Sequence, residues 1–340
     1  MTQSKKKIKL RFVGFWDGFD YHNHSVYKVL KERYEIDTES EPDFVICACF
    51  GKPLEYMKYD CVRILLNGEF IQTNFQQFDY ALSYDHIVFG DRYFRYPLYF
   101  DHLEYPHLDR LREPITEDDA WRLLKEKEYF CNFIFAHQTK NNIRESIFTE
   151  LCKYKRVESF GTFMNNQPDG KTVKARKGGK PQILRKSKFT IACESLAYPG
   201  FTTEKIGNAI ANYSIPIYFG DPLLDQIFNS EAIINYDDYS TVEAVVDRVI
   251  ELDRNDDLFI ETLLKSPTND PDYAAKEYGK LKAFLYNIFD QDPDKAFRRM
   301  IGYRSALLED YAKDYRKICE QRESQKNTFL GRHGITILKG

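Results

Sequence analysis

Three residues have the type and setting to act on a charged, oxygen-rich substrate: Lys205, Arg144 and Glu69. Lys205 ends Thr203-Glu204-Lys205 at the predicted start of a helix that Thr202 or Thr203 can cap. A helix N-terminus leaves backbone N–H groups unpaired and carries partial positive charge, so a cation there is badly placed and an anion is favoured. A bound phosphate resolves the conflict. Arg144 stands at a second predicted helix start, and its planar guanidinium can hold two phosphate oxygens at once. Two such cations in one region point to a diphosphate. Glu204 either accepts hydrogen bonds from sugar hydroxyls or merely complements the helix dipole. Glu69, in Asn67-Gly68-Glu69-Phe70 behind a buried apolar run, is a candidate general base. Gly68 permits close ligand approach, and partial desolvation among aromatics raises a carboxylate pKa. The alternative is a surface carboxylate in a turn.

The elements that must position these groups follow from periodicity. Ile8, Leu10 and Phe12 alternate with Lys7, Lys9 and Arg11, which predicts a strand leading into a loop at Trp16-Asp17-Gly18. Apolar runs over 43–50 and 62–66 predict strands buried on both faces, as in a parallel sheet. Ligands gather beyond the carboxyl ends of such strands, which marks the Trp16-Asp17 and Asn67-Gly68-Glu69 loops. A charged, helical stretch with Pro106 and Pro114 separates a second unit that starts at Tyr129. It contains a strand over 130–136 and a helix with Ile143, Ile147, Phe148 and Leu151 on one face. Residues 170–188, with Lys171, Lys174, Arg176, Lys177, Gly178 and Lys180, read as a solvated loop or as a flap over an anion. A strand ending near Cys193 and a helix carrying Ile206, Ala209 and Ile210 inward come next. Strands over 214–219 and 232–235 follow, then a helix on Val242, Val245, Val246, Val249 and Ile250. This alternation predicts an α/β fold of GT-B type, two doubly wound Rossmann-like domains facing a cleft. The predicted ranges are 1–125, 126–300 and a C-terminal helical tail over 301–340.

In the tail, Ile301, Leu308, Tyr311, Tyr315 and Ile318 follow heptad-like spacing, with Arg298, Arg299, Arg304, Lys313, Arg316 and Lys317 outside. Packing of the apolar stripe against its own domain is expected; peripheral membrane contact and self-association are the alternatives. Composition bounds the whole. With 340 residues, 43% hydrophobic and 30% charged, disorder is excluded. The 49 Lys+Arg against 52 Asp+Glu argue against nucleic acid as a partner. No apolar run reaches the roughly 18 residues of a membrane span, so a soluble, unexported protein is expected. The 7 cysteines, in contexts such as Val45-Ile46-Cys47-Ala48-Cys49-Phe50, suit a reducing compartment better than a zinc site. The 15% aromatic load divides into core residues such as Phe130, Phe133, Phe135 and Phe284, and a loop set of Trp16, Phe70, Tyr93, Tyr96, Tyr198 and Phe201 suited to stacking on sugars.

The stretch Phe189 to Pro222 resembles the signature of glycosyltransferase family 10, the α-1,3/1,4-fucosyltransferases: Phe-Glu-Asn-(Ser/Thr), a spacer, Tyr-(Val/Ile)-Thr-Glu-Lys-(Ile/Phe), then an apolar run to Pro-(Ile/Val)-X-X-Gly. Upstream, Asn67-Gly68-Glu69-Phe70, Phe78-Asp79-Tyr80-Ala81-Leu82-Ser83-Tyr84-Asp85 and Asp91-Arg92-Tyr93-Phe94-Arg95-Tyr96-Pro97-Leu98-Tyr99 resemble further blocks of the family, the bacterial members most closely. Ordered blocks span about Phe15 to Phe228.

The resemblance implies that residues 1–125 bind the acceptor and 126–300 bind GDP-fucose. It implies Glu69 as general base, Arg144 and Lys205 as pyrophosphate contacts, and Glu204 as a contact to donor hydroxyls. Glu194, Ser195, Phe201 and Thr203 join the donor-binding set; Trp16, Asp17, Phe70 and Tyr93 are the acceptor-side candidates. Departures are Ser195 for the usual Asn, Phe201 for the usual Tyr, and Phe70 after the base. The implied reaction is inverting transfer of L-fucose from GDP-β-L-fucose to a GlcNAc or glucose hydroxyl of a lactosamine- or lactose-type glycan, yielding Lewis-type structures on lipopolysaccharide, capsule or protein. No metal is required where protein cations neutralise the diphosphate, and a divalent ion is at most stimulatory. Asp290-Gln291-Asp292 and Asp292-Pro293-Asp294 have the Asp-X-Asp spacing of metal-dependent transferases but lie beyond the donor signature. The resemblance to the bacterial members implies a cytoplasmic enzyme, with peripheral contact at the inner membrane as the alternative. The rival readings are a GT-B transferase for another nucleotide sugar and a non-catalytic carbohydrate-binding protein.

Overall fold

The computed structural model describes residues 4–100, 115–173 and 179–332. Expectations resting on Pro106, Pro114, Lys174, Arg176, Lys177 and Gly178 lie outside the described residues. Two compact units are present: 4–83, Ile87–Arg95 and 281–332 form the first, and Tyr84–His86 with the described part of 96–280 forms the second.

The first unit contains β1 (Lys6–Val13), α1 (Ser25–Arg33), β2 (Tyr34–Asp37), β3 (Phe44–Cys47), β4 (Val62–Leu66), β5 (Tyr80–Ser83) and β6 (Tyr93–Arg95). All pair in parallel, in the order β2-β1-β3-β4-β5-β6. Every residue of β3, β4 and β5 is buried, as continuous apolar runs demand of strands covered on both faces. Val13, Val45, Leu65, Phe78, Ala81 and Tyr93 form one core cluster.

The second unit contains α2 (Glu117–Lys125), β7 (Tyr129–Phe133), α3 (Ile143–Tyr154), β8 (Val157–Ser159), α4 (Lys180–Arg185), β9 (Ser187–Ile191), α5 (Glu204–Ala211), β10 (Ile215–Tyr218), β11 (Ile234–Asn235), α6 (Val242–Arg254) and α7 (Asp256–Leu264). Its strands are also parallel, in the order β11-β10-β9-β7-β8. Phe133, Ile147, Phe189, Ile217, Val249 and Phe259 are fully buried in a shared core. Each such side chain contributes about 1.5–3 kcal/mol of transfer free energy. The stretch read as a loop up to residue 188 instead contains α4 and the start of β9, where Ile183 and Leu184 are buried.

The chain then returns to the first unit through α8 (Tyr273–Phe289), α9 (Pro293–Ala296) and α10 (Tyr303–Arg332). The compact units therefore differ from the ranges 1–125, 126–300 and 301–340, and a buried carboxylate supplies the reason. Asp79 accepts hydrogen bonds from the backbone N–H groups of Arg63, Arg298 and Arg299 at 2.7, 2.8 and 2.9 Å, and from the Arg299 guanidinium. Asp79 pins the returning segment to the sheet. The apolar stripe expected to pack inward lies outward: Leu308, Tyr311, Tyr315 and Ile318 are exposed. Polar residues dock α10 instead, Glu309 on the fully buried Arg63 at 2.9 Å, Lys313 on Asp60 at 2.9 Å, and Glu320 near Lys58 at 3.3 Å. A buried guanidinium needs a carboxylate more than a Leu needs burial. Among the described residues, no helix is long and apolar enough to cross a membrane.

Candidate functional site

In an open parallel sheet, loops diverge where strand order reverses, leaving a crevice at the carboxyl ends of two neighbouring strands. In the second unit the reversal lies between β7, from which the chain moves outward to β8, and β9, from which it steps on to β10 and β11. Arg144 follows β7, and Glu194, Ser195, Thr203, Glu204 and Lys205 follow β9. Asn141 ties the two loops by donating to the Ser195 carbonyl at 3.4 Å.

Arg144 is the second residue of α3 and is buried. Its guanidinium lies 4.1 Å from the Phe135 ring centroid and donates to the His137 carbonyl, with Nε 3.5 Å from Glu145 Oε1. That Nε has no hydrogen-bond partner. Desolvation lowers the Arg144 pKa against the pull of Glu145. Glu145 in turn accepts from the Thr139 N–H at 2.9 Å and from the Thr139 hydroxyl, fixing the loop before the helix.

Thr203 occupies the N-cap position of α5, but its hydroxyl serves the Glu194–Lys205 pair rather than the helix. Glu194 accepts from the Thr203 N–H at 2.7 Å, the Thr203 hydroxyl at 2.8 Å and Lys205 Nζ at 2.9 Å. Lys205 also donates to the Thr203 hydroxyl at 2.8 Å, which uses two of its three donors. Burial raises the Glu194 pKa against Lys205; desolvation opposes the Lys205 charge, but Glu194 and Glu204 raise its pKa above the ordinary value. Arg144 is within electrostatic range of both Glu194 and Lys205. The structure thus brings the two cations together, with one correction. The conflict of Lys205 with the helix dipole is met by internal Glu194, so the conflict alone does not require a phosphate.

Other expected donor residues separate by burial. Glu194 and Thr203 are buried and hydrogen-bonded to each other, which makes them positioning residues. Phe201 is 5% exposed and packs edge-on to Tyr84 at 5.0 Å, so it supports the loop and offers no open stacking face. Ser195 is exposed, and Glu204 and Lys205 are partly so.

Sequence reasoning missed two supports. Asp221, buried, accepts from the Gly200 N–H and the Thr202 hydroxyl, both at 2.8 Å, and so locks the loop before α5. Its place in Gly220-Asp221-Pro222 marked only the end of a strand. At Gly220 an added Cβ would stand 2.5 Å from Glu194 Cγ, so glycine there makes room for the carboxylate.

In the first unit the order reverses between β1 and β3. Trp16 follows β1 and is half-buried, edge-on to Phe19 at 4.8 Å and to Phe50 at 5.4 Å; Asp17 is exposed. Beyond β4, the Asn67 side chain accepts from the Glu69 N–H at 3.0 Å and donates to the Ile71 carbonyl at 2.6 Å, shaping the turn that carries Glu69. Glu69 and Phe70 are both exposed, so the partial desolvation expected of Glu69 is not found. Tyr93, expected in an acceptor loop, is buried on β6 in the core cluster because its alternate β position faces inward.

Comparisons with known proteins agree with this architecture. The profile of the Alpha-(1,3)-fucosyltransferase FucT N-terminal domain matches residues 10–102, and that of the glycosyltransferase family 10 (fucosyltransferase) C-terminal domain matches residues 124–263. The chain is 25% identical over 333 residues to the Alpha-(1,3)-fucosyltransferase FucT of Helicobacter pylori, covering 86% of this chain and 68% of that protein. It is 30% identical over 123 residues to Alpha-(1,3)-fucosyltransferase B of Drosophila melanogaster, covering 34% of this chain and 28% of that protein. A crystal structure of an α1,3-fucosyltransferase superposes with a TM-score of 0.70 at 24% identity, covering 86% of this chain and 92% of the other; one with GDP-fucose gives 0.69, covering 86% and 93%. That likeness establishes the GT-B fold. With both profiles matched in order over more than half of its length, the chain belongs to glycosyltransferase family 10, a family of fucosyltransferases.

Proposed function

We propose that the chain is an inverting α-1,3-fucosyltransferase that moves L-fucose from GDP-β-L-fucose to a GlcNAc or glucose hydroxyl of a lactosamine- or lactose-type glycan. The observation that carries this reading is the gathering of Arg144 and Lys205 at the strand-order reversal of the second unit, in a chain of this family. Arg144 and the remaining Lys205 donor contact the diphosphate, while Glu145, Glu194 and Thr203 hold those cations in place. Charge on the leaving phosphate is then stabilised by groups that need no reorganisation. Glu69 takes the proton of the acceptor hydroxyl, its oxygen bonds to the anomeric carbon, and the bond from that carbon to the β-phosphate oxygen breaks with its electron pair leaving on GDP. Attack opposite the leaving group inverts configuration and yields an α-fucoside through an oxocarbenium-like transition state. Glu204 accepts hydrogen bonds from fucose hydroxyls. Protein cations carry the charge on GDP, so this scheme requires no metal.

The test is GDP release from GDP-fucose and from GDP-mannose, with lactose, N-acetyllactosamine or lacto-N-biose as acceptor, with and without a chelator, followed by NMR of the product linkage. Turnover with GDP-fucose, an α-1,3 product and persistence under chelation are expected. Turnover with GDP-mannose alone would shift the reading to another sugar nucleotide. Glycan binding without any turnover would identify a carbohydrate-binding protein.

A further inference from the structure

We propose that Phe50, braced by Trp16, is the platform on which a hexopyranose ring of the acceptor stacks, and that it sets acceptor affinity. The inference rests on the reading of the first unit as the acceptor side with Glu69 as base.

Phe50 owes its place to sheet order. β3 lies between β1 and β4, with Val13 opposite Cys47 and Cys47 opposite Leu65. Beyond the paired ends of these strands, Phe50 meets Trp16 at 5.4 Å, and its neighbour Cys49 lies within electrostatic range of Glu69. Electrostatics agree: burial and the nearby Glu69 carboxylate raise the pKa of Cys49, next to Phe50, to about 11.

The loop is held in one shape. Phe50 and Gly51 both donate their N–H groups to the Gly14 carbonyl, at 2.8 and 2.7 Å. Gly14 has φ +72°, and an added Cβ would stand 2.4 Å from the Ala48 oxygen; at Gly51 it would stand 2.7 Å from Gly14 Cα. The backbones of the two loops thus meet where only glycines fit. Behind them the aromatic rings brace one another. Phe15 stacks on Phe19 at 4.0 Å, Phe19 meets Trp16 at 4.8 Å, and Trp16 meets Phe50 with an interplanar angle of 81°. This fixes Phe50 while leaving it 43% exposed. A rigid ring loses little freedom on binding.

The chemistry selects the occupant. A hexopyranose presents a face of C–H groups that complements the negative face of an aromatic ring. The donor diphosphate is disfavoured here because the nearby Glu69 carboxylate repels it. An acceptor ring on Phe50 brings a neutral hydroxyl to the side of the sheet where the base stands.

The experiment compares wild type, Phe50→Ala and Phe50→Trp, with thermal unfolding as the check on folding and lactose and N-acetyllactosamine as acceptors. In Phe50→Ala the acceptor KM should rise about tenfold, the size of one lost aromatic contact. The KM for GDP-fucose and its hydrolysis without acceptor should stay unchanged, and Phe50→Trp should restore the acceptor KM. An unchanged acceptor KM in Phe50→Ala, or an equal rise in the GDP-fucose KM, overturns the platform. If the wild type turns over no GDP-fucose, the fucosyl-transfer reading fails. Saturation-transfer NMR of N-acetyllactosamine then decides the platform separately: signals present in wild type and lost in Phe50→Ala support it, and equal or absent signals in both overturn it.

Discussion

The two strand-order reversals use opposite physics. In the second unit the crevice is built from charge removed from water: Arg144 is 5% and Glu194 1% exposed, and each cation is paired with a carboxylate before any ligand arrives. In the first unit the loops beyond β1, β3 and β4 carry rings and an exposed carboxylate, with Phe50 43% and Phe70 42% exposed. A dianionic ligand has to be met by cations whose desolvation is already balanced, since burying an unpaired charge costs several kcal/mol. A neutral, hydroxyl-rich ligand needs flat surface and one proton acceptor. The difference teaches that the second unit holds its cations with buried carboxylates, whereas the first unit presents rings and a carboxylate to solvent.

The comparison breaks most visibly at Glu69. Glu69→Ala should lower transfer by about 10²–10⁴-fold with GDP-fucose affinity retained, measured by product formation beside calorimetric donor binding; retained turnover would take the base away from the exposed crevice. Lys205→Ala should cost roughly 10²–10³-fold in kcat and also stability, because Glu194 is left buried without its ion pair. Adding Glu194→Gln should recover the urea midpoint and leave activity low; recovery of both would make Lys205 merely structural.

Asp79→Ala tests the purely structural counterpart. Removing the hub of the first unit should destabilise by about 3–5 kcal/mol, read from urea unfolding, since Arg299 then loses its buried partner. Gly220→Ala should cost about 1–3 kcal/mol as an overpacked site and raise the donor KM by displacing Glu194, with the acceptor KM constant in the same assay. A pH-dependent test is available at Lys127, which donates to the carbonyls of Arg185 and Tyr213 at the opposite end of the second sheet from the cations. Burial, aided by Arg185, pulls its pKa down to about 7. The unfolded chain, with an ordinary lysine pKa near 10.4, binds more protons above pH 7, so stability should rise as pH increases from about 7 toward 10. Below 7 that contribution is absent. In Lys127→Met this part of the pH dependence should vanish from denaturation curves at pH 7 and pH 9, with donor KM unaltered.

Legibility in the sequence followed locality. β4 was readable to the residue because its mostly apolar run is a local property, and the α5 start at Thr203 was readable from local residue types, although the Thr203 hydroxyl bonds Glu194 and Lys205 instead of capping the helix. The inward face of α10 was not. Its heptad spacing is real, yet the stripe lies outward, because the partner that decides the matter, Arg63, stands 246 residues from Glu309. Tyr93 and Phe201 were misplaced for a related reason: an aromatic beside a loop has the same local sequence whether its ring points into the core or into solvent.

What the sequence determined by itself was the alternation of elements and the family blocks, and it singled out Arg144, Lys205 and Glu69 as candidates. Only the tertiary structure decided that Glu194 belongs to Lys205, that Gly220 and Asp221 shape the loop before α5, that Asp79 draws the C-terminal segment back to the first unit, and that Phe50 packs against Trp16. The physical reason is that motif chemistry is written in neighbouring residues, whereas desolvation and strand order depend on residues far apart in the chain.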